Sequence, residues 1–171
     1  MKLLAFSTSL LSALCPLAAA APVPLFDGKT FNGWEGDTAK VWHIENGAIV
    51  GGSMAGNTRN EFLATKKSFR NFNLRFEYKL AGTEGFVNGG VQFRSRRIPQ
   101  PPNEMSGYQA DIGAGKSGNL YDESRRNKTL VEADREKMTA VEKPGEWNSC
   151  EIRAADQNII LYVNSTPTAY Y

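Results

Sequence analysis

The side chains of this sequence that could perform acid–base chemistry are two carboxylates and one arginine. Asp111 lies in the alternating stretch 108–112, so its carboxylate is expected on the strand face opposite the apolar side chains. It is a candidate general base or metal ligand, with a solvated strand residue as the alternative. Glu123 follows a short strand-like segment and is a candidate acid or base, or a plain surface carboxylate. Arg94 would stabilise a negative oxygen, or pair with Asp111 across neighbouring strands.

Polar and aromatic residues at related positions form a second predicted set, which would bind the substrate. Its members are Glu61, Gln92, Tyr108, Gln109, Tyr121 and Arg126. Tyr108 and Tyr121 are candidate platforms for a ring, although aromatic side chains more often pack in the core. Arg126 also fits a solvated basic pair with Arg125, and Glu61 also fits a polar strand face.

The sequence predicts no cofactor with certainty. His43 is the only histidine, and no cysteine cluster accompanies it, so a zinc site of the usual kind is not expected. The carboxylates leave room for a divalent metal, because hard cations prefer oxygen ligands, but no spacing demands one. Glycine-rich phosphate loops, nucleophilic-serine motifs and Cys–His signatures are absent from the sequence.

The elements that must position these residues follow a period of two. Residues 73–80 and 90–95 alternate polar with apolar side chains, which is typical of strands with one buried face. Asn46-Gly47 joins two short apolar segments and predicts a hairpin with a type I′ turn. Residues 130–141 have helix-forming composition but few apolar positions, so they are interpreted as a loop with at most one helical turn. Short strands between Gly, Asn and Pro predict an all-β antiparallel sandwich.

The N-terminal residues 1–21 have the order of a secretory signal peptide: a positive start, an apolar run and small residues before Pro22. Export to a secreted or periplasmic location is therefore expected, without a membrane anchor, since the apolar run is too short to span a bilayer. Residues 22–171 then form one domain, in which Cys150 is the single cysteine and is expected to be buried and structural. The formal net charge of +2 and the scattered basic residues do not predict nucleic-acid binding.

The order of the motifs resembles a known family, the 3-keto-disaccharide (3-keto-glucoside) hydrolase domain. The segments that carry the resemblance are 25–34 (LFDGKTFNGW), 42–51 (WHIENGAIVG), 61–63 (EFL), 72–78 (FNLRFEY), 88–95 (NGGVQFRS), 107–112 (GYQADI), 120–123 (LYDE), 145–148 (GEWN) and 162–164 (YVN). The resemblance covers essentially the whole of residues 22–171. It implies a concanavalin A-like jelly-roll sandwich with a small carbohydrate ligand on its concave face.

The resemblance also implies an activity, the cleavage of glycosides already oxidised to a ketone at carbon 3. Such cleavage would proceed by elimination and then hydration, with Asp111, Glu123 and Arg94 as the catalytic set. A lectin-like carbohydrate-binding module is the alternative, since one fold serves many functions. The third hypothesis is an ordinary glycoside hydrolase, which uses two carboxylates and acts on unoxidised sugars.

One segment departs from the family pattern. Family members usually continue beyond a segment like 161–171 with further strands, so the domain is expected to lack its last strands here. Asn164-Ser165-Thr166-Pro167 also stands where the family has an Asn-Gly turn.

Overall fold

Twelve short strands and one helix form the computed structural model, which describes residues 21–82, 84–101, 103–113 and 115–171. The strands are β1 (Trp34–Glu35), β2 (His43–Glu45), β3 (Ala48–Val50), β4 (Ala64–Thr65), β5 (Phe72–Tyr78), β6 (Asn88–Arg97), β7 (Met105–Gly113), β8 (Leu120–Glu123), β9 (Lys128–Val131), β10 (Asn148–Ala155), β11 (Asn158–Val163) and β12 (Thr166–Tyr170); helix α1 is Arg135–Val141. The predicted signal peptide lies almost wholly outside the described residues, and export stays a prediction.

Two four-stranded antiparallel sheets pack face to face and bury the core between them. One has the order β6-β7-β8-β9 and the other β12-β11-β10-β5. Phe93 and Leu120 of the first sheet meet Ile152, Ile159 and Leu161 of the second. Each fully buried aliphatic side chain of this size contributes about 1.5–3 kcal/mol. The predicted all-β sandwich is confirmed. It forms because polar and apolar side chains alternate along the strands, so that each sheet has one apolar face to bury.

The single cysteine of the domain lies in this core. Cys150 is a free, buried thiol on β10, as the sequence predicts. Burial, and to a smaller extent the charge of Glu151, raises its pKa to about 12. A thiol with so high a pKa carries almost no thiolate at neutral pH, so it packs rather than reacts.

Helix α1 is a correction to the sequence interpretation of residues 130–141 as a loop. Asp134 caps the helix by accepting a hydrogen bond from the backbone N–H of Lys137, and Met138 is its one buried residue. Met138 packs with Ala133 and Val163 in a small second cluster. A helix held by one apolar contact leaves no periodic pattern in the sequence, which is why it was missed. No helix in the described residues is long and apolar enough to cross a membrane.

Two hairpins in the domain turn on residues in left-handed conformation. Asn46 and Gly47 link β2 to β3 with φ values of 50° and 78°, which confirms the predicted type I′ hairpin. Asn164 and Ser165 link β11 to β12 in the same way, with φ values of 46° and 65°. Serine therefore occupies a position that favours glycine, because a side chain in this region costs roughly 1–2 kcal/mol.

Replacing Ser165 by Gly is expected to raise the free energy of unfolding by about 0.5–1 kcal/mol. Relief of the left-handed strain outweighs the additional backbone entropy that glycine loses on folding. Urea unfolding followed by tryptophan fluorescence measures the change. Ser165→Ala is the control, since it keeps the Cβ and should give no gain; an equal gain from both variants would show that backbone strain is not the cause.

Candidate functional site

The sheet β6-β7-β8-β9 has one face in the core and one polar face. Ala110 and Leu120 point into the core, because side chains alternate along each strand. On the opposite face, Gln92 is the strand partner of Gln109, and Gln109 is the partner of Tyr121. The polar face is defined here as the side chains of Gln92, Gln109, Asp111, Tyr121 and Glu123. Five of the sequence-predicted residues are therefore brought to one surface.

Asp111 lies buried on this face, with only 5% of its surface exposed. Its Oδ1 accepts a hydrogen bond of 2.8 Å from Nε2 of Gln109. Gly90 lies opposite on β6, where a Cβ would come within 2.7 Å of Gln109 Cγ, so glycine keeps the space that Gln109 needs. Burial raises the pKa of Asp111, against the smaller lowering effects of the Gln109 hydrogen bond and the Lys116 charge. A carboxylate of raised pKa is a stronger base than an exposed one.

Glu123 lies at the other end of the face, beside a buried carboxyl group that the sequence analysis missed. Burial raises the pKa of Glu123, and the charge of Glu104 adds to the increase. Glu104 is 5% exposed and accepts hydrogen bonds from Asn60 Nδ2 at 3.3 Å and from the backbone N–H of Met105 at 3.0 Å. Glu104 ends the proline-containing loop between β6 and β7, where no alternation could indicate its direction. Both effects favour the protonated form of Glu123, which is the direction that a general acid needs.

The interval between the two carboxylates is occupied by hydrogen-bonding groups. In the β7–β8 register, Glu123 is opposite Gly107, four residues along β7 from Asp111. Their backbones are therefore separated by about 13 Å along the sheet. Gln109 and Tyr121 lie between them. The carbonyl Oε1 of Gln92 is buried without a hydrogen-bond partner in the part of the chain that the structure describes, so the face offers an acceptor to a ligand hydroxyl.

Arg94 does not reach the polar face. A bulge lies between Phe93 and Arg96 on β6, and Arg94 itself has a φ of 49°. Ser95 consequently takes the place opposite Gly107, where a Cβ on the glycine would lie 2.2 Å from the serine hydroxyl. The Arg94 guanidinium instead donates hydrogen bonds to the carbonyls of Arg70 and Asp156. The expectation that Arg94 pairs with Asp111 is therefore wrong, because the bulge turns the Arg94 side chain away from the polar face.

Tyr108 and Arg126 also lie away from the polar face. Tyr108 alternates with Gln109 and stacks on Phe93 in the core, with ring centroids 5.8 Å apart. Arg126 pairs with the buried Asp122 and donates a hydrogen bond of 2.9 Å to the hydroxyl of Tyr171. Strand parity places both contacts on the side opposite Gln109, so neither residue joins the predicted binding set.

Glu61 is on the loop that leads towards the Glu104 end of the sheet. Its carboxylate pairs with Arg59 at 2.7 Å. The neighbouring residue Asn60 makes the hydrogen bond to Glu104. The structure therefore places Glu61 near the rim of the site, with its charge already balanced.

Comparisons with known proteins identify the family and the fold of the chain. The family model of the 3-keto-alpha-glucoside-1,2-lyase-like domain matches residues 21–171. The chain belongs to this family. The chain is 36% identical over 74 residues to a 3-keto-disaccharide hydrolase of Bacteroides thetaiotaomicron, across 39% of its own length. That match spans 26% of the curated relative's length.

A solved structure shares the fold of this chain. It is a protein of Parabacteroides distasonis ATCC 8503, whose designation as a glycosyl hydrolase is provisional. The TM-score is 0.59 at 23% sequence identity, over 86% of this chain and 70% of that one. This likeness supports the sandwich architecture.

Two further observations concern where a ligand or a metal ion could bind. Within the described ranges, no group of three His, Cys, Asp or Glu side chains is arranged to hold a metal ion. A shallow depression of about 620 Å³ lies on the outer face of the other sheet. Glu151 there is paired with Arg75 and Arg153, so its carboxylate is neutralised. The polar face, where two carboxylates have raised pKa values, is therefore the candidate active site.

Proposed function

We propose that this domain cleaves 3-keto-glycosides on its polar face, by elimination followed by hydration. The family is one of glycosidase-type enzymes, and the finer assignment rests chiefly on the buried carboxylate of Asp111. Burial raises the pKa of Asp111, which makes it a stronger base than an exposed carboxylate, and removal of a proton from carbon requires a base. Glu123, whose pKa is also raised, supplies the acid.

The first half of the proposed reaction is the elimination. The ketone at carbon 3 acidifies the hydrogen at carbon 2, and Asp111 takes that proton as the electrons move to the carbon-3 oxygen. The resulting enolate expels the substituent at carbon 1, whose oxygen receives the proton of Glu123. We assign the binding of the sugar hydroxyls during this step to Gln92, Gln109 and Tyr121, which lie side by side across the three strands.

The second half restores both carboxyl groups. Water adds to carbon 1 of the unsaturated sugar and returns a proton to Glu123, while Asp111 delivers its proton to carbon 2. The sum of the two halves is hydrolysis, with a free 3-keto sugar and the former aglycone as products. No net oxidation occurs, so the reaction needs no redox cofactor.

Incubation of the purified domain with 3-keto-trehalose in D₂O is the direct test. We expect release of free sugar, with one enzyme-dependent deuterium at carbon 2 of the 3-keto product, because the proton on Asp111 exchanges before it returns. Mass spectrometry measures the label, and a sample without enzyme corrects for spontaneous exchange. Unoxidised trehalose is the matched control substrate and should not be cleaved.

The other outcomes separate the competing functions. Binding of the keto sugar without release favours the lectin-like module. Cleavage of trehalose at the same rate, without deuterium at carbon 2, favours an ordinary two-carboxylate hydrolase. Either result would overturn the proposed elimination.

A further inference from the structure

The loop that follows β7 closes back on Asp111 itself. The backbone N–H of Gly118 donates to the carbonyl of Asp111, and the backbone N–H of Asp111 donates to the carbonyl of Asn119, both at 3.1 Å. Within the loop, the hydroxyl of Ser117 accepts from the backbone N–H of Gly113 at 2.7 Å. The loop is therefore fixed relative to the candidate base by its own backbone.

Helix α1 and its flanks hold the same loop from outside. Arg135 donates hydrogen bonds to the carbonyls of Gly115 and Ser117, and to the side-chain oxygen of Asn119. Ser117 also donates to the carboxylate of Glu142 at 2.5 Å. These hydrogen bonds fix the backbone of the loop relative to Asp111, as a group that takes part in catalysis requires.

Lys116 projects from the centre of this anchored loop. Its backbone N–H bonds to the carbonyl of Gly113 at 2.8 Å, and its side chain is exposed. The ammonium lies 5.9 Å from the centre of the Phe86 ring, an exposed aromatic residue at the same end of the sheet. A contact of this kind at the surface is worth about 0.5–1 kcal/mol, so the flexible lysine can leave it for a ligand.

The arginines that the sequence suggested for this position are engaged elsewhere. Arg94 bonds to loop carbonyls, and Arg126 pairs with Asp122 on the core side of the sheet. Arg97 at the far end of β6 is paired with Glu35 at 2.9 Å. The charge of Lys116, by contrast, lowers the pKa of Asp111, although by less than burial raises it. Lys116 is therefore the cation that we consider for this end of the polar face.

We propose that Lys116 is a catalytic residue, whose ammonium stabilises the negative oxygen that forms at carbon 3 when Asp111 removes the carbon-2 proton. The inference rests on the proposed function, because the oxygen becomes negative only in the elimination. Lys116 transfers no proton in this step. Its charge balances the enolate as the carbon–hydrogen electrons reach the oxygen, and the interaction weakens again when the carbon-1 substituent leaves and the ketone reforms. Such a group stabilises the transition state more than the ground state.

Lys116→Met is therefore expected to lower kcat on 3-keto-trehalose by about 100-fold while changing KM little. Lys116→Arg, which keeps the charge, should stay within about tenfold of the wild-type kcat. Lys137→Met on the exposed face of α1 is the matched control and should leave kcat unchanged. A second readout needs no turnover: ¹³C NMR titration should give a higher pKa for Asp111 in Lys116→Met than in Lys137→Met.

The results separate the inference from the proposed function. Wild-type turnover with Lys116→Met within threefold of it would overturn the role of Lys116 and leave the function standing. An arginine variant as slow as the methionine variant would overturn it as well, because charge would then not be the property that matters. A wild type inactive on every 3-keto-glycoside would overturn both.

Discussion

Asp111→Asn is expected to lower kcat on a 3-keto-glucoside by at least about 100-fold, because it removes the base and leaves the surroundings intact. Asparagine keeps an oxygen where Gln109 Nε2 donates its 2.8 Å hydrogen bond, so the packing of the polar face should not change. Steady-state kinetics across pH measure the effect. Wild-type kcat/KM should fall as the pH drops through the raised pKa of Asp111, since the protonated carboxyl group cannot accept the carbon-2 proton.

The same substitution should not destabilise the protein. Burial, the largest cause, raises the pKa of Asp111 in the folded state above its ordinary value near 3.8. The stabilising contribution of the protonated carboxyl group is complete below that ordinary value and is lost as the pH rises through the raised one. Asparagine cannot ionise, so Asp111→Asn should unfold at equal or higher urea concentration than the wild type at pH 7.

Asp134→Asn provides the matched control for both measurements. It makes the same chemical change at the N-cap of α1, where asparagine and aspartate cap about equally well. Its kcat should equal that of the wild type. If Asp111→Asn turned over substrate within tenfold of this control, Asp111 would not be the base.

The sequence predicted the parts of the site that depend on strand alternation. Gln109 and Asp111 are two residues apart on β7, and Tyr121 and Glu123 are two apart on β8. Within each pair the side chains must share a face. On β7 the apolar Ala110 between them identifies the opposite face as core, whereas on β8 the residue between them is Asp122, which gives no such sign. The same rule, applied strictly, would have excluded Tyr108, which differs in parity from Gln109.

The rest of the site depends on irregular backbone that the sequence does not reveal. The bulge that removes Arg94 is defined by the pairing of β6 with β7, so one strand alone gives no sign of it. Glu104 and Lys116 lie in loops. Asn60 bonds to Glu104, and the bonds of Gly118 and Asn119 with the Asp111 backbone hold the loop that carries Lys116. Neither contact has a periodic sequence pattern, and both join residues that only the folded sheet brings together.

Asp122→Asn should produce the largest loss of stability, about 2–3 kcal/mol in the free energy of unfolding. The Asp122 side chain is completely buried and accepts hydrogen bonds from Arg125 and Arg126. Both guanidinium groups also lie over the ring of Tyr108, at 4.8 and 5.7 Å. Asparagine would remove the charge and turn an N–H group towards these donors. The turn that follows Glu123 would then lose the ion pairs that hold Arg125 and Arg126 against Asp122.

The dependence of this loss on pH is a specific test of the ion pairs. Burial alone would raise the pKa of Asp122, but the hydrogen bonds from Arg125 and Arg126 outweigh it and hold the pKa below its ordinary value of 3.8. The stabilisation is therefore present above that value and is lost as the pH falls through the lowered one. Urea unfolding should give the full difference between wild type and variant at pH 7, and a smaller one near pH 3.

Glu151→Gln is the matched control, because Glu151 also lies between two arginines but in a more open position. Its partners Arg75 and Arg153 are 67% and 47% exposed, so solvent screens both pairs. We expect a loss of no more than about 1 kcal/mol from this variant. A loss from Asp122→Asn no larger than the control's, or one that does not shrink at acid pH, would contradict the role of Asp122. The turn carrying Glu123 would then be held by its backbone hydrogen bond from Asn127 to the Asp122 carbonyl, at 2.9 Å, rather than by charge.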